Sequence, residues 1–406
     1  MLYFDLEAQR CLSKINCADF LIGIPSFNSA RTIGHVVDQC SRGLSEFFDD
    51  QRNVILVSDG GSADSTVHTV ENMKMQQGVE LVACRYQGTS GKGSAVKAIF
   101  EASIKLGTRS LALIDSDLGS ITPDWIKLLI GPTLEKAALV TPRYLRHKYD
   151  GTITNQLCYP LTRALYGKRV RQPIGGDFGM SIELAKRLIE SPLWQTPYVP
   201  RFGIDIFITS SALAEGFTVE EADLGVKIHE TKDPALSLAS MFREVTGSAF
   251  SCMEKYEKCW RTVKSSVSLP LHKDHVQRTE PPSIGVSLDR MIRDCTVSYP
   301  ASVELRSMLS SDLRNKLDTS IVTKPECFGI STETWARTVF ESSAQFKRSD
   351  PIKKNLLLDG LKCIWTARVA TFVRDTASMT SEEAEAKVEE DAMQFEKLKS
   401  ELLEIY

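Results

Sequence analysis

The sequence predicts an α/β protein, with a mostly parallel, doubly wound sheet followed by a mainly helical C-terminal domain. Before residue 233, short apolar runs alternate with segments whose apolar residues recur at helical spacing. Strands that alternate with helices build parallel sheets, because each return to the sheet needs a crossover. Beyond residue 233 the apolar spacing is almost entirely helical. We therefore expect one α/β domain over residues 1–232 and a helical domain over residues 233–406.

The predicted strands are apolar runs at residues 20–25, 53–58, 80–86, 110–114 and 138–143. Helical spacing occurs at residues 30–48, from about 63, 88–105, 154–166, 203–216, 234–259, 300–317, 332–346, 351–374 and 381–405. The polar, proline-bearing stretch 269–287 is expected to be a loop or linker. The charge-rich final segment favours an amphipathic helix packed on its own domain, with an oligomer interface as the alternative.

The composition excludes several classes of function. With 49 basic and 52 acidic residues in 406 and a net charge of −3, the chain has no general attraction for nucleic acid or an anionic membrane. The N-terminal residues lack the pattern of a signal peptide, and no apolar run approaches the roughly 20 residues that span a bilayer. The ten cysteines form no Cys-x-x-Cys pair, which favours free thiols in a reducing compartment. We therefore expect a cytoplasmic protein.

Two carboxylates stand directly after a predicted strand, in the segment LALIDSDL. In a parallel sheet the loops after the strands share the edge where ligands bind, so Asp115 and Asp117 are expected there. Paired carboxylates repel each other unless a cation neutralises them, and Mg²⁺ or Mn²⁺ with substrate phosphates is a common solution. A solvated turn with two capping acids is the alternative for this motif alone.

Two glycine-bearing turns lie at the same predicted edge. In TSGKGSA, Lys92 stands between glycines at a helix start, where a close backbone, helix N–H groups and the ammonium group favour phosphate. The spacing does not match a Walker A loop. The turn SDGGS around Asp59 could accept hydrogen bonds from a ribose or a base, although turn formation and N-capping are the more common use of such residues.

Three later segments add further polar groups. The segment QPIGGDFGM packs three glycines around Asp177, and FGID places Asp205 among apolar residues at a predicted helix start. An unpaired acid there is costly to bury, so Asp205 is expected either to cap the helix or to meet a polar ligand. Alternation in Val226 and Ile228 would turn Lys227 and His229 toward one face, which favours a functional histidine over a structural one.

The order of these motifs resembles the nucleotide-sugar glycosyltransferases of GT-A fold, a Rossmann-like doubly wound architecture. The turn at Asp59 is similar to the large group of inverting processive and dolichol-type enzymes. The blocks IDSDLGSITPDWI, QPIGGDFGM and FGIDIFIT resemble the retaining hexosylglycerate synthases, which include mannosylglycerate synthase and, more distantly, glucosyl-3-phosphoglycerate synthase. The segments ETWARTVFE and LKCIWTARV are also similar to the helical C-terminus of mannosylglycerate synthase.

The resemblance implies roles for individual residues. A divalent cation, Mg²⁺ or Mn²⁺, would be held by Asp115, Asp117 and His229. The nucleotide sugar would be bound by Pro25, Phe27, Asp59, Lys92, Asp115, Ser116, Gly175, Gly176 and Asp177. The acceptor would be bound by Arg146, Thr154 and Asp205. The catalytic set would be Lys92, Asp117 and Asp205.

The resemblance implies metal-dependent, retaining transfer of a hexose from GDP-mannose, UDP-glucose or GDP-glucose to a small anionic acceptor. D-glycerate is the expected acceptor, and the product would be mannosylglycerate or glucosylglycerate, a compatible solute. The alternatives are a 3-phosphoglycerate-specific synthase, an inverting enzyme acting on a polyprenyl phosphate, a sugar nucleotidyltransferase and a binding module without activity. A nucleotidyltransferase usually has a glycine-rich loop after its first strand, whereas this chain has Pro25-Ser26-Phe27-Asn28.

Overall fold

The computed structural model describes residue 4 and residues 6–229, 239–274, 280–322 and 328–406. In chain order, the strands of this part are β1 (Phe20–Ser26), β2 (Asn53–Asp59), β3 (Val79–Arg85), β4 (Ser110–Leu113), β5 (Leu139–Leu145), β6 (Phe178–Ser181), β7 (Val219–Val226) and β8 (Leu271–His272). The helices of the first half are α1 (Leu6–Lys14), α2 (Ile33–Phe47), α3 (Thr66–Glu71), α4 (Lys92–Leu106), α5 (Pro123–Ile130), α6 (Tyr159–Tyr166), α7 (Ile182–Ile189) and α8 (Ile204–Ala214).

The C-terminal half is mainly helical in its described part. Its helices are α9 (Ala239–Lys255), α10 (Glu257–Trp260), α11 (Leu288–Ala301), α12 (Val303–Met308), α13 (Ser311–Ile321), α14 (Thr332–Arg348), α15 (Pro351–Asp375), α16 (Ser381–Lys397) and α17 (Lys399–Ile405). Short 3₁₀ segments at Gly131–Leu134 and Pro192–Gln195 and a π-helix at Thr154–Cys158 complete the set. None of the helices in the described ranges has both the length and the apolar character needed to cross a bilayer.

The chain forms two compact units. The first, here called the sheet unit, comprises Met1–Leu145, Gln172–Glu230 and Leu269–Pro282, and the second, the helical unit, comprises the remaining segments. The division expected at residue 232 differs from these units in two segments. Residues 146–171 belong to the helical unit, because α6 is tied to α16 by ion pairs of Arg163 with Glu389 and Glu396. Residues 269–282 belong to the sheet unit, because β8 pairs with β7.

The sheet has the strand order β3-β2-β1-β4-β6-β5-β7-β8. Strands β1 to β4 pair in parallel, while β6 runs antiparallel to both of its neighbours, β4 and β5. The register aligns Ser26 with Asp59 and Asp59 with Arg85, so the turns after the first strands begin at one level. This arrangement confirms the predicted fold class, a mostly parallel sheet with helices and a helical C-terminal region.

Helices cover both faces of the sheet. On one face, Val37 of α2 and Trp125 of α5 join the apolar cluster that Ile22 and Ile24 of β1 form with other strands. Gly23, between those two residues, faces the other layer, where a Cβ atom would lie 2.2 Å from Ile99 of α4. The missing side chain therefore lets α4 pack directly on β1, and this fixes the start of α4 near the carboxyl ends of the strands.

The helical unit has its own core and buried polar contacts. Phe242 of α9 stacks on Trp365 of α15, with ring centroids 4.8 Å apart. Arg368 forms a buried ion pair with Asp391 of α16. The nine described cysteines, in both units, are free thiols, as the sequence predicts for those positions.

Some predicted elements differ from the observed ones. The bounds of the five predicted strands are confirmed within one or two residues. The strands β6, β7 and β8 were not predicted. The single helix predicted over residues 300–317 is wrong. The chain instead forms α11, α12 and α13, with non-helical backbone at Ser302 (φ −79°, ψ 54°) and at Leu309 (φ −81°, ψ 148°). Pro300 fits the last turn of α11, although the prediction used it as a helix start.

Candidate functional site

The site lies at the carboxyl edge of the sheet unit, where the loops after β1, β2, β4 and β7 begin. Asp115 and Asp117 follow β4 directly, and Lys227 and His229 follow β7. Lys92 is the first residue of α4, and Asp205 lies in the first turn of α8. The structure therefore brings together, at one edge, charged residues that are more than 130 positions apart in the chain.

The start of α4 is locked onto the loop that precedes α8. The amides of Gly93 and Ser94 donate to the carbonyls of Arg201 (3.1 Å) and Pro200 (2.9 Å). A Cβ atom on Gly93 would lie 1.9 Å from the carbonyl oxygen of Val199, so only glycine permits this approach. Because these helix amides already donate to protein carbonyls, the phosphate-binding capacity expected of this turn rests on the Lys92 ammonium group.

Lys92 bridges two carboxylates. Its Nζ lies 2.8 Å from Oδ1 of Asp115 and 3.2 Å from the carboxylate oxygens of Asp205. Burial disfavours the ammonium form, but the two carboxylates outweigh it and raise the pKa of Lys92. For Asp205, burial is the largest influence and raises the pKa above its ordinary value, with Lys92 acting in the opposite direction. Lys92 is therefore a fixed positive charge between two acids.

A second ammonium group, that of Lys227, contacts the other oxygen of Asp115. Lys227 Nζ donates to Oδ2 of Asp115 (3.1 Å), to Oδ2 of Asp177 (2.8 Å) and to the carbonyl of Gly175 (2.8 Å). Asp177 is 0% exposed, and its other oxygen accepts from the backbone amide of Asp115 at 2.8 Å. The Tyr144 hydroxyl also donates to Asp177. Burial raises the pKa of Asp177, and Lys227 opposes this, whereas Lys92 and Lys227 together hold the pKa of Asp115 below its ordinary value against burial.

These contacts bind the Asp177 carboxylate to groups inside the protein. The resemblance assigns it to the donor sugar, but both of its oxygens are already bonded within the protein. Gly175 and Gly176 form the wall beside it. A Cβ on Gly175 would lie 2.1 Å from Pro142, and one on Gly176, whose φ is +92°, would lie 2.0 Å from Oδ2 of Asp115. The glycine pair thus allows the 175–177 loop to press against the Asp115 carboxylate.

Asp117 and His229 lie at a short backbone bridge between the segment after β4 and the segment after β7. Leu118 pairs with His229, and the Gly119 amide donates to the carbonyl of Ile228 at 2.8 Å. Both side chains are half-buried, and the Asp117 carboxylate makes no hydrogen bond or ion pair to any residue that the structure describes. A carboxylate and an imidazole, with oxygens from a bound phosphate, fit the coordination chemistry of Mg²⁺ or Mn²⁺.

The expected three-ligand metal set is not assembled as such. Within the described ranges, no three His, Cys, Asp or Glu side chains are grouped closely enough to hold a metal ion. Both oxygens of Asp115 face lysines instead. Asp117, the other expected carboxylate ligand, has no partner among the residues that the structure describes.

Ser116 fixes the turn after β4 to the turn after β1. Its hydroxyl shares a 2.8 Å hydrogen bond with the hydroxyl of Ser29, and its carbonyl accepts from Thr32 at 2.7 Å. The Ser116 side chain is buried, and its hydroxyl is bonded within the protein.

The turn after β2 is closed by its own carboxylate. Asp59 is 2% exposed and accepts from the amides of Gly61 (2.7 Å) and Ser62 (2.8 Å) and from the Ser62 hydroxyl. Pro25 is buried within β1. Phe27, by contrast, is 61% exposed and borders this turn, because a Cβ on Gly60 would lie 3.3 Å from its ring. Of Pro25, Phe27 and Asp59, all expected to bind the nucleotide sugar, Phe27 is the one with an accessible side chain.

The two remaining acceptor candidates belong to the helical unit. Arg146 forms an ion pair with Asp150 at 3.3 Å, and Thr154 begins the π-helix. Gly151 lies between them with φ +63°, and a Cβ there would be 3.6 Å from Arg146 Nη1 and 3.7 Å from Thr154 Oγ1. The guanidinium and the hydroxyl therefore converge on one backbone turn.

Sequence reasoning missed several residues that build the site. Tyr144 lies in β5, where its ring faces the Lys227 ammonium at 4.9 Å. The Tyr86 hydroxyl accepts from the Gly91 amide at 2.9 Å and holds the loop that leads to Lys92. An aromatic residue in a strand carries no local sign of such contacts, because its partners come from distant segments.

Residues 21–184 match the family model described as Glycosyl transferase family 2. The match begins in β1 and ends in α7, so it includes the turns after β2 and β4 and the 175–177 loop. This segment is therefore similar to a glycosyltransferase domain, in agreement with the enzyme class that the sequence predicts. No curated protein matches the chain.

Similar solved structures include glucosyl-3-phosphoglycerate synthase from Mycobacterium tuberculosis. Its complex with phosphoglyceric acid is 24% identical, covers 60% of this chain and 83% of that chain, and has a TM-score of 0.46. The complex with Mg²⁺ and uridine diphosphate gives the same values. The complex with Mn²⁺, UDP-glucose and phosphoglyceric acid covers 61% and 84% at the same identity and TM-score.

Proposed function

We propose that this protein transfers a hexose from a nucleoside diphosphate sugar to a hydroxyl group of a small anionic acceptor, with retention of configuration. The observation that carries the proposal is the Lys92 ammonium group held between Asp115 and Asp205, in a site whose β4 turn also carries Asp117, a carboxylate with no partner among the described residues. A fixed cation beside a metal-binding carboxylate at this sheet edge suits a diphosphate leaving group.

Lys92 would bind the diphosphate of the donor. Its ammonium group carries three donors, and the two acids that hold it keep it charged at neutral pH. Because its position is fixed before substrate arrives, it costs little reorganisation when negative charge develops on the leaving phosphate. Phe27 offers an exposed ring at the β2 turn on which the base of the nucleotide could stack.

Asp117 and His229 would hold Mg²⁺ or Mn²⁺ together with oxygens of the diphosphate. Such a cation, when bound, acts as a Lewis acid that neutralises charge on the leaving group. The arrangement requires both side chains to face the same space, and the Leu118–His229 bridge places them on adjacent backbone positions.

Asp205 would stabilise positive charge at the anomeric carbon and orient the acceptor hydroxyl. In the reaction, the bond between the anomeric carbon and the phosphate oxygen breaks, and the acceptor oxygen bonds to the same face. The acceptor proton passes to an oxygen of the departing diphosphate, so no separate protein base is needed. The Asp205 carboxylate is fixed by Lys92, which suits a positioning and charge-stabilising role.

Arg146 and Thr154 would bind the acceptor. A guanidinium recognises a carboxylate, and a hydroxyl can hydrogen-bond an alcohol, so the pair fits a hydroxy acid such as D-glycerate. If 3-phosphoglycerate is the acceptor instead, the product is the glycosylated phosphoester. The candidate donors are GDP-mannose, UDP-glucose and GDP-glucose. They differ in base or in sugar, and the screen described next distinguishes them.

A donor-by-acceptor screen tests the proposal. The purified full chain is incubated with each of the three donors and with D-glycerate, 3-phosphoglycerate or a polyprenyl phosphate, in the presence of Mn²⁺ or Mg²⁺. Mass spectrometry is expected to detect a hexosylglycerate or its phosphate ester, and EDTA is expected to suppress it. Transfer to the polyprenyl phosphate alone, or no binding of any nucleoside diphosphate with Mn²⁺ by calorimetry, would overturn the proposal.

A further inference from the structure

Lys227 is a buried cation that the proposed reaction does not use directly. It is 7% exposed, although lysine is among the residues least often buried. A buried ammonium group is tolerated only when its donors are paired and its charge is balanced. The groups that balance it therefore indicate what the residue does.

All three donors of the Lys227 ammonium group have partners inside the protein. They are the carboxylates of Asp115 and Asp177 and the carbonyl of Gly175, at 3.1, 2.8 and 2.8 Å. An ammonium group has three donors, so a contact with a substrate phosphate would require one of these bonds to break. The ring of Tyr144 covers another side of the group.

The contacts of Lys227 determine how Asp115 is oriented. Lys227 takes Oδ2 of Asp115, which leaves Oδ1 for Lys92 at 2.8 Å. Lys92 in turn meets Asp205. A continuous series of ionic contacts therefore runs from the buried Asp177, through Lys227, Asp115 and Lys92, to Asp205.

Lys227 also adds an ionic link between the turn after β4 and the 175–177 loop, which the pairing of β4 with β6 brings side by side. It donates to the Gly175 carbonyl and the Asp177 carboxylate, while Asp177 accepts from the Asp115 amide. Without the ammonium group, the carboxylates of Asp115 and Asp177 would face each other with no cation between them, and like charges at short range repel.

We propose that Lys227 is a positioning residue that holds the Asp115–Asp117 turn against the 175–177 loop and thereby aims Lys92 at the leaving group. The inference rests on the proposed function for the role of Lys92. Lys227 does not touch the substrate, and its effect is transmitted through Asp115.

Charge-removal variants test this role. Lys227→Met replaces lysine with an unbranched apolar side chain of similar length and so removes the positive charge. The double variant Lys227→Met/Asp177→Asn also removes the carboxylate that Lys227 balances, while the asparagine oxygen can still accept from the Asp115 amide. Lys127→Met is the matched control, because Lys127 is an ion-paired lysine of the same unit whose partner, Asp274, lies outside the site.

We expect Lys227→Met to lower kcat by about 10- to 100-fold, the usual cost of losing a residue that orients a ligating group. The KM for the donor should change less than kcat, because Lys227 has no free donor for the diphosphate. The double variant should recover a large part of the lost kcat and of the lost thermal unfolding midpoint. Lys127→Met should match the wild type in turnover and donor KM.

Three results would overturn the inference. They are wild-type kinetics in folded Lys227→Met, a donor KM that rises alone with no recovery in the double variant, and an equal loss in Lys127→Met. If Lys227→Met fails to fold, the comparison of Asp177→Asn with the double variant decides, since both lack the unbalanced carboxylate. If the wild type binds no uridine or guanosine diphosphate with Mn²⁺, the proposed function fails. The unfolding midpoints then still report whether Lys227 balances Asp177.

Discussion

Two turns at the same edge of the sheet both begin with an aspartate, but the groups that bind the two carboxylates differ. The β2 turn (residues 59–62) and the β4 turn (residues 115–117) each follow a parallel strand and start with an aspartate. In the β2 turn, Asp59 is bonded to the backbone and hydroxyl of its own turn. In the β4 turn, Asp115 is held by Lys92 and Lys227, and Asp117 has no partner among the described residues.

The difference shows that an acidic turn after a strand is not by itself a ligand site. Local glycine and serine residues can satisfy a carboxylate completely, as in the β2 turn. The β4 turn has no glycine within it and obtains its partners from α4 and from the chain after β7, which are distant in sequence. Its carboxylates therefore depend on tertiary contacts, and one of them stays available for a ligand.

The largest effect should come from Asp117→Asn in the β4 turn. This change removes the charge proposed to hold the divalent cation and leaves the fold intact, because Asp117 has no partner among the described residues. We expect turnover of the nucleotide sugar to fall by about 10²- to 10³-fold, comparable to the loss of one preorganised electrostatic contact. Initial rates with Mn²⁺ check this, with Asp124→Asn as the control acid. Unchanged turnover would remove Asp117 from the metal site.

Matched glycine substitutions beside each turn should separate their roles. In Gly176→Ala the new Cβ would lie 2.0 Å from the Asp115 carboxylate, whereas in Gly61→Ala it would meet the flexible end of Arg85. Both positions have positive φ, so both variants should lose roughly 1–3 kcal/mol of stability. Of the two variants, we expect Gly176→Ala, and not Gly61→Ala, to lower kcat as well, by about tenfold. Equal kcat values in the two folded variants would contradict the distinction between the turns.

A smaller effect is expected from Asp59→Ala in the β2 turn. The substitution leaves the part-buried amides of Gly61 and Ser62 without their acceptor, which should cost about 1 kcal/mol in the free energy of unfolding. Asp59→Asn keeps an acceptor oxygen and should lose less. Urea denaturation measures both. A large fall in kcat with unchanged stability would instead place Asp59 in direct contact with the donor.

The smallest effect is expected in the free energy of unfolding at acid pH. Lys92 and Lys227 hold the pKa of Asp115 below its unfolded value even though burial opposes this. As the pH falls below about 4, the unfolded chain takes up this proton first, so the stabilisation from Asp115 is lost. The stability difference between wild type and Asp115→Asn should therefore shrink from pH 6 toward pH 3. A difference that is constant over this range would contradict the contribution of the ionised Asp115.

Much of the sheet could be predicted because its strands are continuous apolar runs bounded by turn residues. The exceptions are β6, β7 and β8, and β6 is only four residues long and overlaps the glycine-rich segment QPIGGDFGM. Its antiparallel pairing with β4 and β5 is a long-range property that no local pattern reports. Likewise, the start of α11 at Leu288 follows a polar stretch interpreted as a linker.

The sequence by itself determined which charged residues stand at the ligand edge of the sheet. Alternation of strands and helices places every loop after a parallel strand on that edge, so Asp59, Lys92, Asp115 and Asp117 could be assigned to it from their positions alone. The tertiary structure decided what each carboxylate does. Lys227, which the pattern turned toward the same face as His229, instead has its ammonium group buried between Asp115 and Asp177. The reason is physical: a carboxylate is available to a ligand only if no other part of the chain satisfies it, and those partners come from segments far away in sequence.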